Sequence, residues 1–137
     1  MEWCKDDLVL TDNDERVDVH RVYELLQPTY WAARRSLETV ERLVRNSLCF
    51  SLVDQKAQVG FARVVTDFAA FSWLADFVID PMHRGKGYGE WMLGHILEHP
   101  AIKDTQFVLQ TRDAHSLYEK FGFRHSSALM STPVTNL

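Results

Sequence analysis

The stretch from Phe71 to Gly89 constrains the fold of this chain more than any other. A β-type run from Phe71 to Ile79 is stopped by Pro81, and Arg84–Gly89 then reads R-x-x-G-x-G before a helix-like segment. Glycine lets the backbone approach a ligand closely. The first N–H groups of a helix lack intrahelical partners and lie at the positive end of its dipole. This order therefore predicts a site for phosphate groups.

Length and cysteine content predict one globular domain in a reducing compartment. At 137 residues, a single domain over 1–137 is expected, with a polar tail over about 131–137. No apolar run approaches the roughly 20 residues of a membrane helix, and the acidic start of the chain does not resemble a signal peptide. Cys4 and Cys49 have no metal-ligand spacing. They are interpreted as free thiols, which favours a cytoplasmic protein without a membrane partner.

The net charge bears on the class of partner. The formal charge is −4 at pH 7. Nucleic-acid-binding domains usually present a basic face, so the charge argues against a nucleic-acid partner. It favours a cationic substrate, but only weakly, because the imbalance is small.

The remaining periodicity predicts an α+β domain with the order β-α-α-β-β-β-α-β-α-β and a mixed sheet. Gly94, inside the third helix, costs about 1 kcal/mol relative to alanine, and close packing against the sheet is its expected compensation. The strand 71–79, the helix after Gly87 and the strand 107–111 should form a parallel, right-handed crossover. The other strands are predicted at 8–11, 48–53, 59–65 and from Phe123, and the other helices follow the cap residues Asp18, Ser36 and Asp113.

Two widely spaced motifs give the chain a resemblance to the GNAT (Gcn5-related N-acetyltransferase) superfamily. One is Arg84–Gly89 after a strand that ends in Asp80-Pro81, and the other is Ala114–Phe123, which matches A-x-x-L-Y-x-K-x-G-F. The resemblance covers about Val9 to Phe123. It implies the GNAT fold, which is a mixed, mostly antiparallel, twisted sheet with helices on both faces and splayed central strands.

The resemblance also implies that acetyl-CoA is the cosubstrate. The loop residues expected to hold its pyrophosphate through main-chain N–H groups are Arg84, Gly85, Lys86, Gly87, Tyr88 and Gly89. Phe77, Val78 and Ile79 should pair with the pantetheine arm as an added strand would, and the N–H of Val78 is a candidate oxyanion donor. The family often has asparagine where this chain has Thr111, so one cofactor contact is in doubt.

Tyr118 is the candidate general acid for the departing thiolate. A tyrosine pKa near 10 keeps the hydroxyl protonated at neutral pH, and its place in the second motif resembles that of the family's acid. The alternative is a core aromatic residue, like Phe121 and Phe123 on the same segment.

The general base is less well determined. Trp73 stands where one branch of the family has a glutamate, and Asp76 is the nearest carboxylate on that strand. Asp76 is therefore a second catalytic candidate, and its alternative is an ion-paired or solvent-facing strand residue, because buried carboxylates are costly unless paired. His83 or a water relay would also serve.

The substrate pocket is expected near the first two helices. Tyr30 and Trp31 are candidates to stack on a substrate or hold a cation, and Arg112 is a candidate for a substrate carboxylate or a cofactor phosphate. Core closure is the alternative for the aromatic pair. His95 and His99 lie four residues apart without an evident third ligand, so no metal site is predicted.

Together these features predict an acyltransferase, an acetyl-CoA-dependent N-acetyltransferase. It would move an acetyl group to a primary amine of a small molecule by direct attack in a ternary complex. The alternatives are a protein or peptide N-acetyltransferase and a non-catalytic CoA-binding sensor. A nucleotide P-loop is disfavoured because the glycine loop lacks the G-K-[ST] ending. The resemblance also allows a homodimer.

Overall fold

Six strands form one mixed sheet in a computed structural model that describes residues 1–133 of the chain. They lie in the order β1-β2-β3-β4-β5-β6, and all neighbours are antiparallel except β5 and β6, which are parallel. The predicted parallel crossover is therefore present. The strands are β1 (Glu2–Lys5), β2 (Leu8–Thr11), β3 (Leu48–Asp54), β4 (Ala57–Thr66), β5 (Phe71–Ile79) and β6 (Gln106–Val108).

Four α-helices cover the two faces of the sheet. They are α1 (Val19–Leu26), α2 (Leu37–Arg45), α3 (Tyr88–Leu97) and α4 (His115–Glu119), with short 3₁₀ turns at Asp14–Arg16 and Pro81–His83. Asp18 and Ser36 cap α1 and α2 as predicted, because their side chains accept the N–H groups of Arg21 and Thr39.

Each face of the sheet has its own core. Under α3 and α4, Leu10, Phe50 and Leu52 pack with Met92 and Leu93. Under α1 and α2, the second core is formed by Val22, Leu25, Leu26, Ala32, Val40, Cys49, Phe61 and Val78. The α+β class, the mostly antiparallel sheet and the helices on both faces are therefore confirmed.

A β-bulge in β5 changes which face of the sheet its side chains meet. Phe61 on β4 pairs with Val78, but Arg63 pairs with Ala75, so the pair Asp76-Phe77 opposes the single residue Ala62. Asp76 adopts a left-handed backbone with φ 53°, as the extra residue of a bulge can. As a result Leu74 and Val78, which regular alternation would place on one face, belong to opposite cores.

Three secondary-structure features differ from those predicted. Strand β1 was not predicted, and it forms a hairpin with β2. The strand expected from Phe123 is absent from the described chain, because the polar residues after Phe123 offer no apolar alternation. Asp113 does not cap α4, because the N-cap residue is Ala114 and no side-chain hydrogen bond caps the helix; the Ala114 N–H donates to Thr111 Oγ1 at 3.0 Å. Of the predicted tail, 131–133 forms neither helix nor strand and 134–137 lies outside the described residues.

Gly94 faces a side chain and not the sheet, contrary to expectation. A Cβ at Gly94 would lie 3.5 Å from the Phe121 ring, an ordinary contact, whereas one at Gly60 would lie 3.0 Å from Ile79 Cδ1 and 3.1 Å from Leu52 Cβ.

These two glycines allow a matched test of packing. We expect Gly94→Ala to stabilise the fold by about 0.5–1 kcal/mol through helix propensity. Gly60→Ala should destabilise it by about 1–3 kcal/mol through overpacking. Urea unfolding of both variants measures the difference, and a destabilised Gly94→Ala protein would contradict the open contact at Phe121.

Candidate functional site

Strands β5 and β6 separate along their length and leave one edge of β5 open. They pair only where Phe71–Trp73 meets Gln106–Val108. Beyond Trp73, β5 continues to Ile79 without a neighbour on that side in the described chain. The predicted splay is present, but it lies at the edge of the described sheet and not at its centre, because no strand follows β6. An unpaired strand edge presents N–H and C=O groups to an extended ligand.

The glycine loop lies at the end of this open edge. Gly85 and Gly87 have φ of 78° and 80°, a conformation that side chains rarely adopt, and no heavy atom lies within 4 Å of a Cβ built on either. Gly87 directly precedes α3. The Nε of Arg84 donates to the Ile79 carbonyl at 3.1 Å. The loop therefore combines open space beside the backbone of Gly85 and Gly87 with the free N–H groups at the start of a ten-residue helix.

The loop side chains do not all face one way. Arg84, Gly85, Gly87, Tyr88 and Gly89 line an open cleft, and Lys86 is not among the residues that line it. Lys86 Nζ instead lies 5.8 Å from the centre of the Tyr88 ring. The Tyr88 hydroxyl donates to Asp54 at 3.1 Å.

The main-chain N–H and C=O groups of the residues before the loop point alternately toward β4 and toward the open edge. The Asp80 N–H donates to the Val59 carbonyl at 2.7 Å, across the β4–β5 pair. Along an antiparallel strand these groups alternate in direction, so the N–H of Val78 also points to β4. The groups of Phe77 and Ile79 then face the open edge, on the side of the cleft.

Tyr118 lies on α4 against the same cleft. Its ring makes edge contacts with Phe77 and Phe123, with centroids 6.3 and 5.7 Å away. Only 8% of the residue is exposed, and burial raises the pKa of Tyr118 to about 12. Its hydroxyl has no hydrogen-bond partner within residues 1–133 and is not shut off from solvent. The hydroxyl is thus protonated across the neutral range and available to a group in the cleft.

Asp76 is the centre of a buried ion network. Its Oδ2 accepts from Arg35 Nη1 at 2.7 Å and from Arg63 Nε at 2.5 Å, and its Oδ1 accepts from Trp31 Nε1 at 2.8 Å. Its side chain is 1% exposed. Burial alone raises the pKa of the Asp76 carboxyl, but the Arg63 and Arg35 guanidiniums outweigh it and hold the pKa below its usual range. Such a carboxylate is a weak proton acceptor.

The three candidate substrate residues lie together beside this network. The Arg112 guanidinium lies 3.7 Å from the centre of the Tyr30 ring, and the main-chain N–H of Arg112 donates to the Tyr30 hydroxyl at 2.9 Å. The Tyr30 and Trp31 rings meet edge to face at 5.1 Å. Contacts therefore run from Arg112 through Tyr30 and Trp31 to Asp76.

Comparison with known proteins identifies the family. The family described as "Acetyltransferase (GNAT) domain" matches residues 45–125. A GNAT-family acetyltransferase from Xanthomonas campestris pv. campestris is 33% identical, with a TM-score of 0.88 over 93% of each chain.

The chain belongs to the GNAT acetyltransferase family.

A more distant solved structure shows the same fold, and a sequence relative matches part of the chain. A GNAT acetyltransferase from Elizabethkingia anophelis, solved with acetyl-CoA bound, has a TM-score of 0.70 at 16% identity and matches 90% of this chain and 80% of its own. A relative from Gibberella zeae whose name classes it with the acetyltransferases is 26% identical over 66% of this chain and 63% of its own length. The chain spans less than two thirds of the length of the curated relatives it matches.

The cleft of this GNAT domain has the opposite charge to the chain as a whole. It is an open cavity of about 1980 Å³ that reaches from the glycine loop to Tyr30. Its described lining includes six Lys or Arg side chains and three Asp or Glu side chains, although the chain carries −4. The overall charge of the chain therefore does not describe the cleft, whose described lining has an excess of positive side chains that would attract anions.

Trp73 and the histidines considered above do not all lie in the cleft. Trp73 and His83 line the cleft, and His83 Nδ1 is buried without a hydrogen-bond partner in the described chain. His99 lies beyond the end of α3 and contacts Asp12 at 2.7 Å. His95 packs between the rings of Trp3 and Trp91. No helix within residues 1–133 is long and apolar enough to cross a membrane.

Neither Arg63 nor Arg35 was among the site residues predicted from the sequence. Both are about nine-tenths buried, with side-chain exposures of 12% and 11%. A signal for Arg63 was present, since it interrupts the apolar run of β4 just as Asp76 interrupts β5. Two opposite charges on neighbouring strands of one sheet indicate a buried pair.

Proposed function

We propose that this GNAT domain is an N-acetyltransferase that moves the acetyl group of acetyl-CoA to a primary amine of a small molecule by direct attack in a ternary complex. The observation that carries the proposal is the open edge of β5, which runs directly into the glycine loop along the cleft that Tyr118 faces. One ligand would pair with the strand, place its phosphates at the loop and bring its thioester toward Tyr118.

The cosubstrate would be held by backbone groups. The N–H groups of Arg84–Gly89 suit the pyrophosphate, because Gly85 and Gly87 leave open space where other residues carry side chains. The exposed groups of Phe77 and Ile79 suit the pantetheine arm. Arg84 supplies a positive charge at the cleft wall, and Lys86 contributes its positive charge from outside the cleft.

The chemistry balances without a metal. The neutral amine attacks the thioester carbonyl, and a main-chain N–H at the open edge, of Phe77 or Ile79 in preference to Val78, stabilises the oxyanion. As the C–S bond breaks, the Tyr118 hydroxyl donates its proton to the sulfur. The proton released by the amine leaves through water in the cleft and restores Tyr118. Asp76 acts here as a positioning residue, since both its oxygens are bonded.

A small acceptor fits the site better than a peptide. The acceptor end of the cleft is walled by Tyr30, Trp31 and Arg112, which are fixed by their mutual contacts and by Asp76. A concave, partly apolar pocket with a few convergent polar groups is typical of small-molecule sites. A sensor that binds CoA without turnover is separated from this proposal by an assay of thiol release.

Cellular context and assembly stay predictions within this proposal. Cys4 is exposed and Cys49 is buried, and both are free thiols. Burial raises the pKa of Cys49 to about 12, so this thiol is unreactive. Free thiols suit a reducing cytoplasm, and a homodimer is checked by light scattering.

A negative charge introduced at position 87 tests the cofactor site. We expect Gly87→Asp to bind acetyl-CoA at least about tenfold more weakly than Gly87→Asn, because the added carboxylate faces the pyrophosphate. The two variants are isosteric, and both residues tolerate the left-handed backbone, so strain cancels in the comparison. Calorimetric titration measures both affinities.

Two controls accompany this titration. Desulfo-CoA, which keeps the pyrophosphate, should show the same ratio between the variants. Equal affinities of the Asp and Asn variants would remove the loop from the binding site. A folded wild-type protein that does not bind acetyl-CoA would overturn the proposed function.

A further inference from the structure

The ion network at the acceptor end of the cleft has more positive than negative charge. Arg35 and Arg63 both pair with one carboxylate, that of Asp76. The other acidic side chains of the cleft lining, Asp113 and Glu119, form no ion pair with either arginine. Two guanidiniums, each about nine-tenths buried, thus share a single counter-charge, and buried charge is costly unless it is paired.

The same arginines have donors that the protein does not use. Arg35 donates through Nη1 alone, and Arg63 donates through Nε to Asp76 and through Nη1 to Ser47. Arg35 Nε and Nη2 and Arg63 Nη2 have no hydrogen-bond partner within residues 1–133. In the described chain, the unpartnered side-chain N and O atoms that are shut off from solvent are Ser51 Oγ and His83 Nδ1. The three arginine nitrogens are not among them and are therefore accessible to solvent. Both arginines line the cleft.

We infer that the acceptor carries a carboxylate near its amine, and that the free guanidinium N–H groups of Arg35 and Arg63 bind it. The inference rests on the proposed function and names its substrate class, amino acids and related amino carboxylates. A bound carboxylate would give the network two guanidiniums and two carboxylates. The forked geometry of guanidinium matches a carboxylate's two oxygens. Asp76 would hold the two arginines in place for it.

Arg112 supplies a further cation at the rim of this site. Its guanidinium lies over the Tyr30 ring at 3.7 Å, and no ion pair of the described chain uses it. An aromatic platform fixes a guanidinium and leaves its in-plane N–H groups free. The rim would therefore attract an anionic acceptor toward the cleft. An amine without a carboxylate would meet positive charge without a compensating contact.

The first test compares matched acceptors on the wild-type enzyme. For several side chains, kcat/KM is measured by thiol release with the amino acid, its carboxamide and the corresponding decarboxylated amine, each corrected for its neutral amine fraction. We expect the amino acid to exceed both analogues by about tenfold to a hundredfold, the usual effect of a charge-assisted hydrogen bond. Equal or better turnover of the uncharged analogues would overturn the inference while leaving the acetyltransferase proposal intact.

Variants assign the preference to the arginines. Arg35→Gln and Arg63→Gln should bring the ratio of amino acid to decarboxylated amine toward one. This ratio is insensitive to a general loss of activity. Arg42→Gln removes the same charge from an exposed position on α2, where the side chain is 72% exposed, and should keep the wild-type ratio. Arg35→Lys and Arg63→Lys, which retain the pair with Asp76, replace any glutamine variant that does not fold. An undiminished ratio in the folded variants would overturn the assignment to these arginines.

A binding measurement covers a protein that shows no turnover. N-acetyl amino acids and their carboxamides are titrated into the protein by calorimetry, with and without CoA. Tighter binding of the carboxylates, weakened in Arg63→Gln or Arg63→Lys, would support the anion site even if acetyl transfer fails. Equal binding, or no binding, of carboxylate and carboxamide would overturn it.

Discussion

Tyr118→Phe is expected to lower kcat for acetyl transfer by about a hundredfold or more, the usual contribution of a general acid. The substitution removes one oxygen and keeps the ring that packs against Phe77 and Phe123. The hydroxyl has no partner in the described chain, so its loss breaks no structural hydrogen bond. Steady-state kinetics from pH 6 to 9 measures the effect.

Two comparisons separate an acid from a merely structural residue. Tyr23→Phe removes a hydroxyl from α1, away from the cleft lining, and should leave kcat within a factor of about two. The KM for acetyl-CoA should change little in Tyr118→Phe, because the proposed contact forms as the thiolate departs. Unchanged kcat across this pH range would remove Tyr118 from the reaction and favour its alternative as a core aromatic residue.

Asp76→Ala should destabilise the fold by about 3–5 kcal/mol, which is large against a typical total of about 5–15 kcal/mol. The truncation leaves two buried guanidiniums without their counter-charge and removes the acceptor of Trp31. Asp76→Asn keeps the size and one acceptor oxygen, so it should cost less. Asp104→Asn, on an exposed residue, should change stability by less than about 0.5 kcal/mol. Urea unfolding at pH 7 measures all three.

The same carboxyl predicts how stability depends on pH. The folded pKa of Asp76 lies below its ordinary value, so the folded state favours the ionised form. Its contribution is fully present above the unfolded pKa of about 3.9. It is lost progressively as the pH falls from about 5 through the folded pKa. The stability difference between wild type and Asp76→Asn should therefore shrink on acidification, and a constant difference would contradict the ion network.

Features with local causes were predictable from the residues alone. The caps Asp18 and Ser36 act on N–H groups three residues away. The glycine loop depends on consecutive residues, and its left-handed Gly85 and Gly87 follow from their lack of a side chain. The parallel crossover follows from the order of strand, helix and strand. The family resemblance rests on two motifs of this local kind, and membership was confirmed.

Features whose causes lie far apart in the chain were not predictable in this way. Asp76 was interpreted as a candidate base, with an ion-paired or solvent-facing strand residue as the alternative, and its own strand could not decide between these. The arginines that lower its pKa lie 41 and 13 residues away in the chain. The final strand was expected at Phe123 from apolar character alone, although strand formation also needs alternation and a neighbour.

One physical reason separates the features that were predictable from those that were not. The amino-acid sequence by itself determined where the backbone turns, caps and exposes N–H groups, because those energies act within a few residues. Tertiary structure alone decided the surroundings of Asp76 and Tyr30. The bulge at Asp76 turns that side chain toward Arg35 and Arg63, and the Tyr30 hydroxyl meets the backbone 82 residues on. Burial and charge pairing then set the protonation and the free donors of the site, and both depend on neighbours that only folding brings together.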